Sequence, residues 1–203
     1  LAMRACLKCA GITPEQVDDL RAHADQVDLD RALEIEADIK HDLMAEVKAF
    51  AEQCPVGGGI LHLGATSADI EDNADALRLR ESLDLMLEKS KSLLETFAVQ
   101  IEKWADTPTM AFTHLQPAEP TTIGYRLAQY AQDLMMDHAE LSRVRAGIKG
   151  KGFKGAVGTS AAYVELILAK VSQSVQGFES LVMRALDLEP FAAVWCLPTE
   201  GER

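Results

Sequence analysis

Between Gly64 and Pro108 the chain contains neither glycine nor proline, and this limits the folds open to it. The two residues that most readily end a helix are missing from about forty consecutive positions, which at ~1.5 Å per residue make a rod of roughly 60 Å. Thr66-Ser67-Ala68-Asp69 opens the run in the Thr-x-x-Asp form of a capping box. Within it Leu79, Leu83, Met86, Leu93, Phe97, Ile101 and Trp104 recur at intervals that set them on one helical face. A helix of that length finds cover in a bundle of similar helices.

The remaining punctuation agrees. Pro117 and Pro120 interrupt the chain, and Thr121-Thr122 opens a second long helix with a stripe at Ile123, Leu127, Tyr130, Leu134, Leu141 and Val144. The segment GIKGKGFKGAVGTS separates it from a third helix expected from Ala161 to Leu186. Shorter pieces come first: a helical segment over 1–10 stopped by Gly11, a restart at Thr13-Pro14-Glu15, and a run from Leu29 to Phe50. Cys54-Pro55 and Gly57-Gly58-Gly59 close that run. No strand-like alternation competes. The expected fold is all-α, with residues 1–65 in a small helical N-terminal domain. Residues 66–203 form the first part of a central domain of long antiparallel helices.

Charge narrows the partners. Lys and Arg number 20 against 32 Asp and Glu, a formal net charge of −12, so a broad phosphate-neutralising face for nucleic acid is not expected. No apolar run approaches the ~20 residues that span a bilayer, and the stretch before Lys8 is too short for a signal peptide. No membrane association is expected, and the cytoplasm is the expected compartment. Cys6, Cys9, Cys54 and Cys196 offer one C-x-x-C spacing and no second pair to complete a zinc set, so they read as small apolar thiols in a reducing compartment. The start at Leu1 in place of Met suggests a piece of a longer polypeptide.

Residues with chemical potential gather at the breaks between helices. They are Lys40-His41-Asp42 before the glycine run, His62 in LHLGATS, and Thr113-His114-Leu115-Gln116 before Pro117. Helix ends bring side chains from different rods together, which suits an active site; a hydrogen-bonded structural histidine is the plainer reading of each. His23 and His138, on polar helix faces, carry no such signal. Thr66-Ser67 stands at a helix start, where free N–H groups and the dipole favour a carboxylate, although Thr66 equally serves as a cap. The Gly-Lys segment with Lys149, Lys151 and Lys154 lacks the spacing of a phosphate loop and reads as a flexible cationic turn. No His-x-x-His or His-Glu-x-x-His spacing suggests a metal.

At these residues the chain resembles a known family. KHDLMAEVKAFAEQCP, GILHLGATSADIEDNADALRLR, PTMAFTHLQPAEPTTIGYRLA and GKGFKGAVGTSAAY, in this order and at these separations, are similar to the adenylosuccinate lyases of the fumarase and aspartase superfamily. The resemblance spans about Leu1 to Leu188 and marks the chain as an amino-terminal half. It implies a long helical bundle assembled as a homotetramer, with each active site drawn from three subunits. It implies elimination of fumarate from succinylated purine intermediates, a small-molecule purine nucleotide substrate, and no metal or organic cofactor. His114 then matches the general acid, with Thr113 and Gln116 lining the succinyl part. His41 and Asp42, after Lys40 where the family usually has Arg, match a segment that contacts the nucleotide. Thr66 and Ser67 match a pair that holds a substrate carboxylate, and His62 matches a further active-site histidine. Imidazole, with an ordinary pKa near ~6.5, suits proton delivery at neutral pH.

The departures are as specific. Nothing matches the family's Ser-Ser-x-Met-Pro-x-Lys-x-Asn-Pro loop, which carries the serine base, or its amino-terminal Arg-Tyr segment. WCLPTEGER stands where Gln-Thr-Tyr-x-Arg-Lys is expected, and the match ends near Phe191. The isolated chain is therefore expected to be inactive. Two alternatives remain: a non-catalytic helical module that oligomerises through its rods, and an argininosuccinate lyase or fumarase-type relative. HLGATS and THLQPAEPTT favour the purine enzyme.

Overall fold

The computed structural model describes residues 11–168 and 175–193. The expected helix over 1–10, the Cys6 and Cys9 pair, Cys196 and the closing WCLPTEGER lie outside them, as do residues 169–174 of the expected third helix. Seven α-helices are described: α1 (Pro14–Ala22), α2 (Leu29–Ile39), α3 (Asp42–Gln53), α4 (Ser67–Lys103), α5 (Ile123–Ala146), α6 (Ala161–Leu168) and α7 (Val175–Ala185). A short 3-10 turn covers Gly58–Ile60, and one two-stranded sheet, β1 (Pro108–Thr113) with β2 (Gln116–Thr122), lies between α4 and α5. The fold is helical as expected. No described helix is long and apolar enough to cross a membrane.

The chain divides into two compact units, Leu1–Leu77 with Lys149–Arg203, and Arg78–Ile148. The first opens with the expected cap. Thr13 and Gln16 exchange reciprocal bonds, Thr13 N–H to Gln16 Oε1 at 2.9 Å and Gln16 N–H to Thr13 Oγ1 at 3.3 Å, with Pro14 in the first turn. Helices α2 and α3 pack through small and branched side chains, Ala32, Ile35, Ala45 and Ala49, with Ile39 beside them. Alanines let the two backbones approach closely, and Arg31 closes the outer edge with two bonds to Glu52 at 2.9 and 3.0 Å. Asp19 accepts the N–H groups of Val56 and Gly57 at 2.9 and 2.7 Å, anchoring the glycine run to α1.

Helix α4 runs 37 residues without interruption. It ends where Pro108 disfavours helical geometry in the residue before it, and Thr107 N–H turns back to the Trp104 carbonyl at 3.2 Å. In the second unit its later turns run antiparallel to α5. Gly124 meets Trp104 (N–H to carbonyl, 2.9 Å), Ser90 meets His138 (Oγ to Nδ1, 2.7 Å) and Arg145 meets Asp84 (2.6 and 2.8 Å). The seam rests on small residues. A Cβ on Gly124 would lie 2.7 Å from both Ala105 Cα and Ile101 O. Much of the expected stripe faces outward in this chain, with Leu79 at 55% exposure and Tyr130 at 58%.

The sheet departs from the helices-and-breaks expectation. Pro117 and Pro120 read as breakers, yet both stand in β2, opposite Phe112 and Met110. Proline cannot donate to a sheet interior, but a two-stranded ribbon consists only of edges, where its missing N–H faces away from the partner. A bulge between Met110 and Phe112 absorbs the irregular register. Thr122 then caps α5, its Oγ1 accepting the Tyr125 N–H at 3.1 Å.

The close seam at Gly124 yields a stability prediction. Gly124→Ala forces the helices apart at the hairpin end and costs about 1–3 kcal/mol. A circular-dichroism melt should show a fall of several degrees; an unchanged midpoint would contradict the seam.

Candidate active site

Three of the residues singled out in the sequence sit in left-handed backbone: Lys40 at φ 55°, His62 at φ 60° and His114 at φ 50°. For a residue with a Cβ this conformation costs about 1–2 kcal/mol, and such strain concentrates at functional sites.

Lys40 is the C-cap of α2. Its N–H bonds the Glu36 carbonyl at 2.8 Å, and its ammonium folds back onto the Ala37 carbonyl. The reversal makes His41 the N-cap of α3, where Nδ1 accepts the Met44 N–H at 3.4 Å, while Asp42 accepts the Leu43 N–H at 2.7 Å. The His41 and Asp42 side chains are 46% and 72% exposed, so this corner offers an imidazole and a carboxylate to solvent. Glu71, on the second turn of α4, feels both. Burial pushes its carboxyl up, Asp42 and Asp72 add to the shift, and His41 opposes it. The corner and the start of α4 thus lie within electrostatic reach of each other.

His62 precedes that helix in the loop to Thr66. Its Nδ1 is buried and has no hydrogen-bond partner among the described residues. An unpaired buried polar atom costs about 1–3 kcal/mol, which a water or an incoming polar group relieves.

Thr66 and Ser67 open α4 with half of the expected capping box: Asp69 Oδ2 accepts the Thr66 N–H at 3.3 Å, while the Asp69 N–H donates to the Thr66 backbone carbonyl at 2.9 Å and not to its hydroxyl. Asp69 has further partners that no local pattern announces. It is 0% exposed, and its carboxylate also takes the Lys151 ammonium at 2.5 Å, the Tyr163 hydroxyl at 2.9 Å, the Lys154 N–H at 3.2 Å and the Gly155 N–H at 3.1 Å. Asn73, one turn on, holds the same loop through Gly152, accepting its N–H at 3.2 Å and donating to its carbonyl at 3.1 Å. Burial and the Asp69 charge push the Tyr163 phenol well above its ordinary range, which keeps it a neutral donor. Phe153, Tyr163 and Phe178 pack edge-on or tilted against one another nearby, at centroid separations of 5.2 to 6.3 Å.

The Gly-Lys segment is therefore no flexible cationic turn. Lys151 and Lys154 are buried, and Lys154 pairs with Glu179, which also accepts the Phe153 N–H at 3.0 Å. Lys149 reaches Glu189 at 3.2 Å on the surface. Gly152, at φ 86°, has room for no side chain, since a Cβ would fall 2.2 Å from Glu179 Oε1.

Thr113, His114 and Gln116 belong to the second unit, whereas the other candidates belong to the first. Thr113 pairs with Gln116 across the hairpin, and His114-Leu115 form the two-residue turn between them. Both turn residues have positive φ, 50° and 63°, the type I′ geometry that fits the twist of a hairpin and is usually given to Asn-Gly. The turn holds the His114 imidazole at an exposed tip. Arg126, from α5, braces the hairpin by donating to the Met110 carbonyl at 2.7 Å. Among the described residues no three His, Cys, Asp or Glu side chains gather in a metal-holding arrangement.

Comparison with known proteins adds a family. A family profile described as "Lyase" matches residues 7–186. The adenylosuccinate lyase of Schistosoma mansoni is 36% identical over 92% of this chain, and that of Archaeoglobus fulgidus 37% over 93%. The chain spans 38% and 40% of those two relatives, about two fifths of their length. Among solved structures, a fumarate lyase from Mesorhizobium sp. BNC1 superposes with a TM-score of 0.79 at 25% identity, covering 96% of this chain and 45% of that one. The 3-carboxy-cis,cis-muconate lactonizing enzyme of Pseudomonas putida gives 0.80 at 28% identity, covering 96% and 44%.

The Glu71 environment has a pH signature. Its folded-state carboxyl titrates above the unfolded value, so the ionised form destabilises the fold at neutral pH and the penalty fades as pH falls through the raised value. Glu71→Gln should raise the melting temperature at neutral pH, with the gain closing by about pH 4, near the unfolded Glu value. A gain equal at both pH values would contradict this origin.

Proposed function

From membership of the lyase family, to which this chain belongs, we propose that it carries the proton-donating and carboxylate-binding residues of an adenylosuccinate lyase. The reaction is elimination of fumarate from adenylosuccinate, and from the succinylated aminoimidazole carboxamide ribotide, in purine nucleotide biosynthesis. The observation that most supports it is the held geometry of THLQPA: a histidine presented at a strained I′ turn, between Thr113 and Gln116.

The chemistry assigns each part a task. A base removes a proton from the carbon beside a carboxylate, and the electron pair left behind forms the new carbon–carbon double bond as the carbon–nitrogen bond breaks. Negative charge grows on the carboxylate during proton removal, so donors must already be in place there. Thr66 and Ser67, at the first turn of α4, are suited to this by their hydroxyls and by the dipole and amides of the helix start. His114 gives a proton to the departing nitrogen, with Thr113 and Gln116 along the succinyl group. Lys40, His41 and Asp42 face the nucleotide, and His62, with its unpaired buried Nδ1, contributes a further polar contact. The family's serine base has no counterpart in these 203 residues.

Exposed apolar side chains of the second unit support a reading of assembly. Leu79, Met86, Leu93, Tyr130, Met135 and Met136 are each between 47% and 66% exposed. Long apolar stripes of this kind need cover, which further copies of the chain in a homotetramer supply. A cytoplasmic setting suits Cys54, a free and buried thiol.

The acid assignment is tested in the full polypeptide that carries this sequence. His114→Ala should lower kcat for adenylosuccinate by about 10²–10⁴-fold, followed by ultraviolet absorbance. An undiminished kcat would remove His114 from the chemistry.

A further inference from the structure

We propose that Asp69 and Lys151 are positioning residues for the Thr66–Ser67 arm. Asp69 fixes the arm in place, and Lys151 cancels the charge that Asp69 would otherwise turn against an incoming carboxylate. The inference rests on the reading of Thr66 and Ser67 as carboxylate binders.

The geometry sets up a conflict. Asp69 holds Thr66 by both of its backbone groups, accepting the N–H at 3.3 Å and donating to the carbonyl at 2.9 Å. An anion bound at the start of α4 is then one turn from a carboxylate. Coulomb repulsion falls only with the first power of distance, and it is weakly screened where water is excluded. A bare Asp69 would undo part of what the helix start offers an anion.

Lys151 removes the conflict. Its ammonium lies 2.5 Å from Asp69 Oδ1, with side-chain exposures of 3% and 0% for the pair. The Tyr163 hydroxyl and the Lys154 and Gly155 amides occupy the remaining acceptor positions without adding negative charge. Other helix starts in the same chain show that capping alone requires none of this. The Thr13–Gln16 box is exposed and neutral, and the Asp28 cap of α2, which accepts the Arg31 N–H at 2.9 Å, is exposed to solvent. The cap of α4 is buried, charged and neutralised by a lysine from 82 residues away. A buried pair of this kind is a poor way to gain stability over an apolar pair, so a need other than stability accounts better for it.

The test is steady-state kinetics of the full polypeptide on adenylosuccinate. Lys151→Met leaves Asp69 uncompensated and should raise KM about tenfold or more, with kcat within about threefold of wild type. The double variant Asp69→Asn with Lys151→Met removes both charges at nearly constant shape and should bring KM back to within about threefold. An unchanged KM in the single variant, or no recovery in the double, overturns the proposal. If Lys151→Met does not fold, Asp69→Asn alone decides: it keeps an acceptor for the Thr66 N–H and leaves the lysine charge beside the arm. KM should then fall below wild type, and an unchanged or raised KM overturns the proposal. The underlying reading fails separately, if Thr66→Val and Ser67→Ala leave KM and kcat unaltered.

Discussion

A carboxylate with no solvent exposure must find every partner inside the protein, and Asp69 gathers its partners from its own helix start and two distant stretches of chain. They are the first turn of α4, the Gly150–Gly155 loop and the second residue after the start of α6. Each needs Asp69 for a different reason. The helix start needs an acceptor for the Thr66 N–H, the buried Lys151 needs a counter-charge, and the Tyr163 hydroxyl needs an acceptor in an apolar surround. Removing the carboxylate altogether strands all of these donors in a low-dielectric interior, so the cluster depends on that one acceptor. The Thr66–Ser67 arm inherits its rigidity from this cluster.

Much of this was legible in the residues and some was not, for physical reasons that differ by element. The absence of Gly and Pro before Pro108 forecast α4, and the helix starts at Thr13, Thr66 and Thr122 were visible as short local patterns. The β1–β2 ribbon was not, because Pro117 and Pro120 signal a break anywhere except an edge, and only the fold reveals that both strands are edges. Lys151 and Lys154 looked like solvated loop lysines, since nothing local to GKGFKG announces that Asp69 and Glu179 will meet them. Asp69 itself was visible only as the fourth residue of a cap. The left-handed positions were hidden for a related reason: Lys40, His62 and His114 occupy places where glycine or asparagine is the usual marker.

That substitution links local strain to chemistry. A glycine at 114 would relax the I′ turn and lose the imidazole, and a glycine at 62 would lose the ring whose Nδ1 is left unpaired. The fold accepts the strain because rigid neighbours bear it: the paired strands and Arg126 around His114, and the helix start locked by Asp69 just after His62. The polar groups assigned to the proposed chemistry are thus presented by backbone that the surrounding structure holds in place.

Amide hydrogen exchange tests this account most directly, because the loop and the helix start are claimed to open as one body. Under native conditions the Thr66, Lys154 and Gly155 amides should share one protection factor in the wild-type chain and lose it together in an Asp69→Ala variant. Rapid exchange at Lys154 and Gly155 while Thr66 stays protected would contradict the account, since it would mean that the Gly-Lys loop moves independently of the arm.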